Sequence, residues 1–256
     1  MPDHPPTVII LGPTAGGKTQ LAIGLARRLP DGCECICCDS MQVYRGMDIG
    51  TAKPTQLDQA AARHHLLDLV DPSDDRFSVD RWLELANEAI DEIRSRGKWP
   101  IIVGGTNLYV QALLQGMMDG PPPHAELRAR LNSLDLAQLR HRLTSVDPAA
   151  ADRIHANDRK RTIRAIEVFE QTGRRISELQ TQWSSPAGRA TDDLPIVIGL
   201  DFPAQTINRR INARVKQMMD LGFEHEVRRL HQSGRLGRNA REALGYKQLI
   251  ECIEGR

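Results

Sequence analysis

Nowhere in the 256 residues do about 20 apolar positions follow one another without interruption, so no membrane-spanning helix is expected. The opening Met1-Pro2-Asp3-His4-Pro5-Pro6 lacks the basic and apolar regions of a signal peptide, and a cytosolic protein without a membrane partner is the expectation. Cysteine is scarce: five residues are too few for a disulfide framework at this length. Four of them crowd into Cys33-Glu34-Cys35-Ile36-Cys37-Cys38. On a strand, Cys33, Cys35 and Cys37 share one face and Cys38 takes the other, and without a turn between them they cannot surround a tetrahedral ion. A buried strand is therefore expected there. Internal repeats and low-complexity segments are also lacking, which leaves one sizeable core with an appended or inserted piece.

Net charge is +1 and by itself points to no partner. Its distribution is more informative. Residues 1–118 hold 11 Lys and Arg against 15 Asp and Glu, whereas residues 119–256 hold 23 against 18. The basic excess of the second half hints at a polyanionic partner there.

The first half alternates strands and helices. Val8-Ile9-Ile10-Leu11 leads into a glycine-rich loop, and Gln20 to Leu29 has helical spacing. Cys35–Cys38 reads as a second strand stopped by Asp39-Ser40, and Leu66-Leu67-Asp68-Leu69-Val70 as a third before Asp71-Pro72. Ser78 is an N-cap candidate for a long helix ended near Gly97, Pro100–Val103 a strand running into Gly104-Gly105-Thr106, and Leu108–Leu114 a helix. Gly120-Pro121-Pro122-Pro123 breaks this rhythm, and about 60 Arg-rich residues of helical pattern follow without a strand candidate. The alternation resumes at Leu194–Leu200, with helices from Ala204 onward and turns at Gly222 and Gly234. The expected fold class is α/β, a P-loop parallel sheet with helices on both faces, interrupted by an all-helical insertion domain. The expected boundaries are 1–118 for the core, 119–191 for the insertion and 192–256 for the return to the core.

Gly12-Pro13-Thr14-Ala15-Gly16-Gly17-Lys18-Thr19 satisfies the phosphate-loop pattern between a strand and a helix, where the mechanism requires it. Glycines let successive N–H groups turn toward an anion, and the helix adds its N-terminal dipole. Lys18 supplies a point charge, and the Thr19 hydroxyl suits Mg²⁺. A triphosphate hydrolase also needs an acid after a buried strand, yet the strand at 100–103 ends in Gly-Gly-Thr. Asp39 and Asp71 are the remaining strand-end acids, Asp39 fitting better because its strand follows the first βα unit. Both a nucleotide and a plain diphosphate remain open as the ligand at this point.

Several strings together carry a family resemblance: GPTAGGKT at 12–19, DSMQVYRGMDIGTAKP at 39–54, HHLLDLVDP at 64–72, FSVDRW at 77–82 and PIIVGGTNLYVQALLQG at 100–116. HANDRKRTIRAIEVFEQTG at 155–173 and ALGYKQ at 243–248 extend it over nearly the whole chain. They resemble the tRNA dimethylallyltransferase family, also called tRNA isopentenyltransferases. The resemblance implies transfer of a dimethylallyl group from dimethylallyl diphosphate to N6 of the adenosine immediately 3′ of the anticodon, with Mg²⁺ and with the P-loop holding diphosphate. It implies Asp39 as general base, Ser40, Met41 and Gln42 lining the base pocket, Thr106 bonding across the reaction channel and Arg214 reaching the diphosphate. For tRNA it implies, besides Asp39 to Gln42 and Thr106, Arg128, the segment Lys160, Arg161, Thr162, Ile163, Arg164, and the segment Glu242, Ala243, Leu244, Gly245, Tyr246, Lys247. On a helix, Lys160, Arg161 and Arg164 share one face, opposite Ile163, Ile166 and Phe169. A monomer is expected. Similar sequences continue past the Gly-Tyr-Lys region into a further basic helical stretch, whereas this one stops at Glu254-Gly255-Arg256. The competing readings are a P-loop nucleotide or nucleoside kinase and a nucleotide-switched RNA-binding module. Neither gives the 39–54 string or GGTNLY a role.

Overall fold

A computed structural model describes residues 4–116, 120–180 and 194–256. In chain order the elements are β1 (Val8–Leu11), α1 (Lys18–Ala26), β2 (Cys33–Cys38), α2 (Gln56–Ala61), β3 (His64–His65), α3 (Val79–Ser95), β4 (Trp99–Gly104) and α4 (Asn107–Gln115). The helices α5 (Ala125–Ser133), α6 (Leu136–Val146), α7 (Pro148–Arg153), α8 (Arg159–Thr172) and α9 (Ile176–Leu179) follow. The chain then forms β5 (Ile196–Gly199), α10 (Ala204–Asp220), α11 (Phe223–Gln232), α12 (Arg238–Arg241) and α13 (Tyr246–Ile253). It divides into two compact units, Met1–Leu113 with Arg189–Arg256, and Leu114–Gly188.

The larger unit is built on one five-stranded sheet in the order β3-β2-β4-β1-β5, every pairing parallel. The apolar strand runs explain this, because a parallel sheet is covered on both faces and alternation is not required. Val8, Ile10, Cys33, Cys35, Ile101 and Val103 pack with Ala22 and Ile23 of α1. The oppositely pointing Ile9, Ile36 and Ile102 are fully buried as well. Against β2 and β4 lies α3, which buries Trp82, Ala86, Ala89, Ile90 and Ile93 as one stripe and starts at Ser78, whose hydroxyl accepts from Arg81 N–H. The Trp82 indole N–H donates to the Cys37 carbonyl at 2.9 Å, which satisfies the polar atom of a buried ring. This is the α/β class expected, and all four clustered cysteines are buried on β2.

One strand differs from the expectation. The third strand is only His64–His65, paired with Cys35 and Ile36, and residues 66–70 form a loop with a single bridge from Tyr44 to Val70. Leu66 and Asp68 have φ of 62° and 54°, which a strand cannot contain. The buried ammonium of Lys53 holds that loop, donating to Asp68 Oδ1 and Asp48 Oδ1, each at 2.6 Å, and to the Tyr44 carbonyl at 2.9 Å. Beyond the sheet, Val43, Tyr44 and Met47 join Phe223, Val227, Leu230, Ala240, Tyr246 and Ile250 in a second apolar core.

Every element of the smaller unit is a helix among its described residues. Side chains of His124, Asp135, Asp147 and Asp158 cap α5, α6, α7 and α8 in turn. Leu131, Leu139, Leu143, Ile163, Ile166, Val168, Ile176 and Leu179 form its core.

Candidate active site at the carboxyl edge of the sheet

Parallel strands deliver all their C-terminal ends to one edge. The register sets Ile10 beside Val103 and Ile198, and Cys38 beside Gly104, so the exits of β1, β2, β4 and β5 are neighbours. Open parallel sheets bind ligands in the crevice at this edge. Here it collects the loop Gly12–Thr19, Asp39, Gly105-Thr106 and the passage from Leu200 into α10. Glycine at 104 is a packing requirement, since a Cβ there would stand 2.1 Å from the Cys38 carbonyl oxygen.

The phosphate loop reverses at Ala15 (φ 61°) and Gly17 (φ 84°), left-handed conformations that turn N–H groups inward. Among the described residues no side chain caps the N-terminus of α1. The Lys18 ammonium folds over the loop, donating to the carbonyls of Gly12 at 2.9 Å and Pro13 at 3.0 Å. The far side of the loop rests on residues that the sequence pattern did not single out. A Cβ on Gly12 would lie 2.8 Å from that of Leu200, and one on Gly16 would lie 3.5 Å from the Phe202 ring. The Arg210 guanidinium stacks over Phe202 at 4.5 Å, so a cation–π contact fastens α10 beside the loop. A lone aromatic followed eight residues later by an arginine is too common a pattern to be read as a contact in advance.

Lys18 and Arg214 are both partly buried. Burial, and then the neighbouring Arg214 cation, pushes the Lys18 pKa down, while the Asp39 carboxylate opposes the shift. Arg214 is lowered by burial too, again opposed by Asp39. Among the described residues the two cations thus share a crevice with the Asp39 carboxylate as the opposing charge, an arrangement that a polyanion would relieve.

Asp39 directly follows β2. Its Oδ1 accepts the Met41 N–H at 2.8 Å, which orients the carboxylate, and Oδ2 engages no hydrogen-bond donor among the described residues. Thr106 ties β4 to β2 twice: its N–H donates to the Cys38 carbonyl at 3.2 Å, and its Oγ1 accepts the Ser40 N–H at 3.0 Å. Its own carbonyl accepts from Tyr109 and Val110 N–H as α4 begins. The Gln42 side chain is engaged at both ends, with Nε2 donating to the carbonyls of Thr51 at 2.9 Å and Ala52 at 3.3 Å, and Oε1 accepting Cys37 Sγ–H at 3.1 Å. Met41 is partly buried against the second apolar core.

Glu242, Leu244 and Lys247 are exposed, Leu244 to 86%, whereas Ala243 and Tyr246 are buried. Only half of the 242–247 side chains therefore face solvent. In the smaller unit, Lys160 and Arg161 are exposed at the start of α8, but Thr162 and Ile163 point into the helical core. Arg164 donates to Glu167 Oε2 and to the Pro121 carbonyl, both at 2.8 Å, and Arg128 grips both oxygens of Glu167 at 2.8 and 3.0 Å. Burial would raise the Glu167 pKa, but these arginines hold it below the usual range. The sequence periodicity separated the charged from the apolar face of α8, and it carried no sign of Glu167, the buried carboxylate that orients both arginines.

Residues 42–256 match the family described as IPP transferase. The chain is 42% identical over 257 residues to tRNA dimethylallyltransferase 1 of Syntrophotalea carbinolica and 44% identical over 256 residues to the tRNA dimethylallyltransferase of Shouchella clausii. Each comparison covers 98% of this chain and 80% of the relative. Among solved structures, the full-length tRNA isopentenylpyrophosphate transferase of Bacillus halodurans superposes with a TM-score of 0.67 at 38% identity, covering 98% of this chain and 78% of that one. A eukaryotic dimethylallyltransferase acting on tRNA gives 0.77 at 27% identity, over 98% of this chain and 66% of that one.

Proposed function

The chain belongs to the IPP transferase family, and on that premise we propose that it transfers the dimethylallyl group of dimethylallyl diphosphate to N6 of the tRNA adenosine immediately 3′ of the anticodon, releasing diphosphate. The observation that carries the reading is the pair of partly buried cations, Lys18 and Arg214, facing one carboxylate, Asp39, at the carboxyl edge of the sheet. The cations suit a diphosphate and the carboxylate suits a proton acceptor, two tasks this reaction needs side by side.

In this reading, loop amides from Gly12 to Thr19 cradle the diphosphate, and Lys18 exchanges its contacts with the Gly12 and Pro13 carbonyls for phosphoryl oxygens. Arg214, near Lys18, adds a permanently charged guanidinium. The N6 lone pair attacks the allylic carbon, the C–O bond to diphosphate breaks with its electron pair, and N6 gives up a proton. Asp39 accepts that proton, its carboxylate held toward the base by Met41 N–H. Ser40, Met41 and Thr106 line the path of the extruded adenine. Because the Gln42 amide is already engaged, that residue acts on the base through its backbone and its place in the loop.

Mg²⁺ is the proposed metal. The donor that fits is the Thr19 hydroxyl, in the first turn of α1 beside the phosphate loop, which has no hydrogen-bond partner among the described residues and suits a hard cation that a substrate's own oxygens help to hold. When bound, Mg²⁺ supplies charge neutralisation to the departing diphosphate.

The proposed tRNA contacts are Arg128, the exposed Lys160 and Arg161 with Arg164, and the exposed positions of 242–247. No helix among the described residues is long and apolar enough to cross a membrane. The proposed setting is the cytoplasm, where tRNA and its diphosphate co-substrate meet, and the proposed state is a monomer.

The test is label transfer into tRNA from dimethylallyl diphosphate or from ATP. Label entering RNA only from the former supports the function, and steady ATP consumption with phosphate appearing on a small acceptor would return the kinase reading. Asp39→Asn keeps the shape and cannot take a proton at neutral pH. Single-turnover transfer should fall at least about a hundredfold, within the about 10²–10⁴ worth of general-base assistance, with little change in diphosphate-substrate affinity.

A further inference from the structure

One carboxylate joins two separate segments of the chain. Glu226, buried on α11, accepts three consecutive backbone N–H groups: Asp48 and Ile49 on Oε2, each at 2.9 Å, and Gly50 on Oε1 at 3.1 Å. Oε1 also accepts the hydroxyl of Tyr246, the first residue of α13. Burial and the Glu226 charge push the Tyr246 pKa up, so this proton stays on the tyrosine.

An independent steric fit works in the same place. One turn before Glu226, Phe223 meets the Tyr246 ring edge-on with centroids 5.0 Å apart. Gly50 lies so close to this aromatic pair that a Cβ on it would fall 2.0 Å from Phe223 and 2.5 Å from Tyr246. From the other side, a Cβ on Gly245 would fall 2.9 Å from Phe223. The 47–52 loop and the 242–247 segment therefore share one seat, polar at Glu226 and apolar at Phe223.

The loop passes this constraint toward the catalytic edge. Carbonyls of Thr51 and Ala52 hold the Gln42 amide, and the other end of that amide takes Cys37 Sγ–H, two residues before Asp39. We infer that Glu226 is a positioning residue for tRNA, setting Ser40-Met41-Gln42 and the exposed side chains Glu242, Leu244 and Lys247 in fixed relation to each other. It touches no substrate itself. The inference rests on the proposed function, in which both segments meet tRNA.

Glu226→Gln places an amide NH₂ against backbone N–H groups in either orientation, Asp48 and Ile49 on one side or Gly50 on the other, and breaks the shared seat. Tyr246→Phe removes only the hydroxyl and keeps the ring in place. Two quantities are read for each variant: binding stoichiometry and affinity for dimethylallyl diphosphate, and the tRNA concentration giving half-maximal single-turnover transfer. For Glu226→Gln, half-saturating tRNA should rise by about tenfold, the scale of a lost charge-assisted hydrogen bond. Diphosphate-substrate binding should stay stoichiometric and within about twofold of the parent, because the hydrogen-bond partners of Glu226 lie at 48–50 and 246 and not in the phosphate loop. For Tyr246→Phe the rise should be smaller, about threefold, because the N–H groups of Asp48, Ile49 and Gly50 still hold the Glu226 carboxylate. A purely structural role would lower stoichiometry and amplitude together and leave half-saturating tRNA where it was, and that result overturns the inference. If Glu226→Gln does not bind the diphosphate substrate stoichiometrically, Tyr246→Phe alone decides, unchanged half-saturation counting against. A parent protein that transfers no label to tRNA removes the proposed function, a failure distinct from active variants with unaltered tRNA dependence.

Discussion

The backbone N–H of Ser40 donates to Thr106 Oγ1 at 3.0 Å, joining the exit of β2 to the exit of β4 across the edge where Lys18 and Asp39 converge. A side chain from one strand end thereby sets the backbone of the segment after Asp39. Thr106→Val preserves the β-branched shape and leaves the Ser40 N–H without its partner, a penalty of about 1–3 kcal/mol. Transfer to tRNA should fall by about tenfold with diphosphate-substrate affinity unchanged, and Thr106→Ser should recover most of the loss. Single-turnover rates beside equilibrium binding check both halves.

Lys18 gives a pH signature. Its pKa is lowered by burial and by Arg214, and an anion favours the protonated form, so affinity for diphosphate should weaken as pH rises through a range below that of an ordinary lysine. Lys18→Arg should remove this alkaline limb. Lys18→Ala should weaken binding by about a hundredfold at neutral pH, on the scale of truncating one partner of a desolvated charge pair. Titration calorimetry across pH distinguishes the variants, and a limb that persists in Lys18→Arg assigns the titration to another group.

On α8, Lys160 and Arg161 are exposed, Arg161 in a surface ion pair with Asp158 at 3.5 Å, whereas Arg164 is anchored by Glu167 and Pro121. Lys160→Ala and Arg161→Ala should each reduce the slope of log affinity for tRNA against log salt by about one contact, without effect on diphosphate binding. Arg164→Ala should in addition lower the thermal stability of the helical unit, because it removes one of two arginines from a buried carboxylate. Salt slopes equal to that of the parent would take the start of α8 out of the RNA interface.

Acid stability should depend on Glu34, buried on β2 at the end of the strand remote from Asp39. Burial alone would raise its pKa, but hydrogen bonds from His65, Arg96 and Lys98 outweigh this and bring it down to about 2. A carboxylate depressed in the folded state stabilises above its unfolded pKa and loses that contribution as pH falls toward the folded value. Between about pH 4.5 and 2 the protein should lose on the order of 3 kcal/mol through this group. Denaturant melts at pH 5, pH 3 and pH 2 should follow the loss, and Glu34→Gln should flatten it while lowering stability at neutral pH.

Much of the α/β unit was legible because its signals are local. The apolar runs at 8–11 and 100–103, the turn at Asp39 and the helical stripe after Ser78 each lie within a dozen residues, where periodicity and capping chemistry act. The 66–70 segment looked like a strand by composition. It is a loop held by the buried Lys53 ammonium, which pairs with Asp68 fifteen residues on, beyond β3 and outside any such local window.

The sequence by itself determined the phosphate loop and the acid that follows the second strand, since glycine spacing, a lysine and a strand-end carboxylate are written consecutively and their backbone consequences are local. The tertiary structure alone decided that Arg214 and Lys18 face one Asp39, that Phe202 and Arg210 brace the loop, and that Glu226 gathers Asp48, Ile49, Gly50 and Tyr246. These partners stand far apart in the chain, and most are common residue types whose charge or aromatic ring acquires a meaning only when burial removes water and leaves each polar group dependent on whichever neighbour folding supplies.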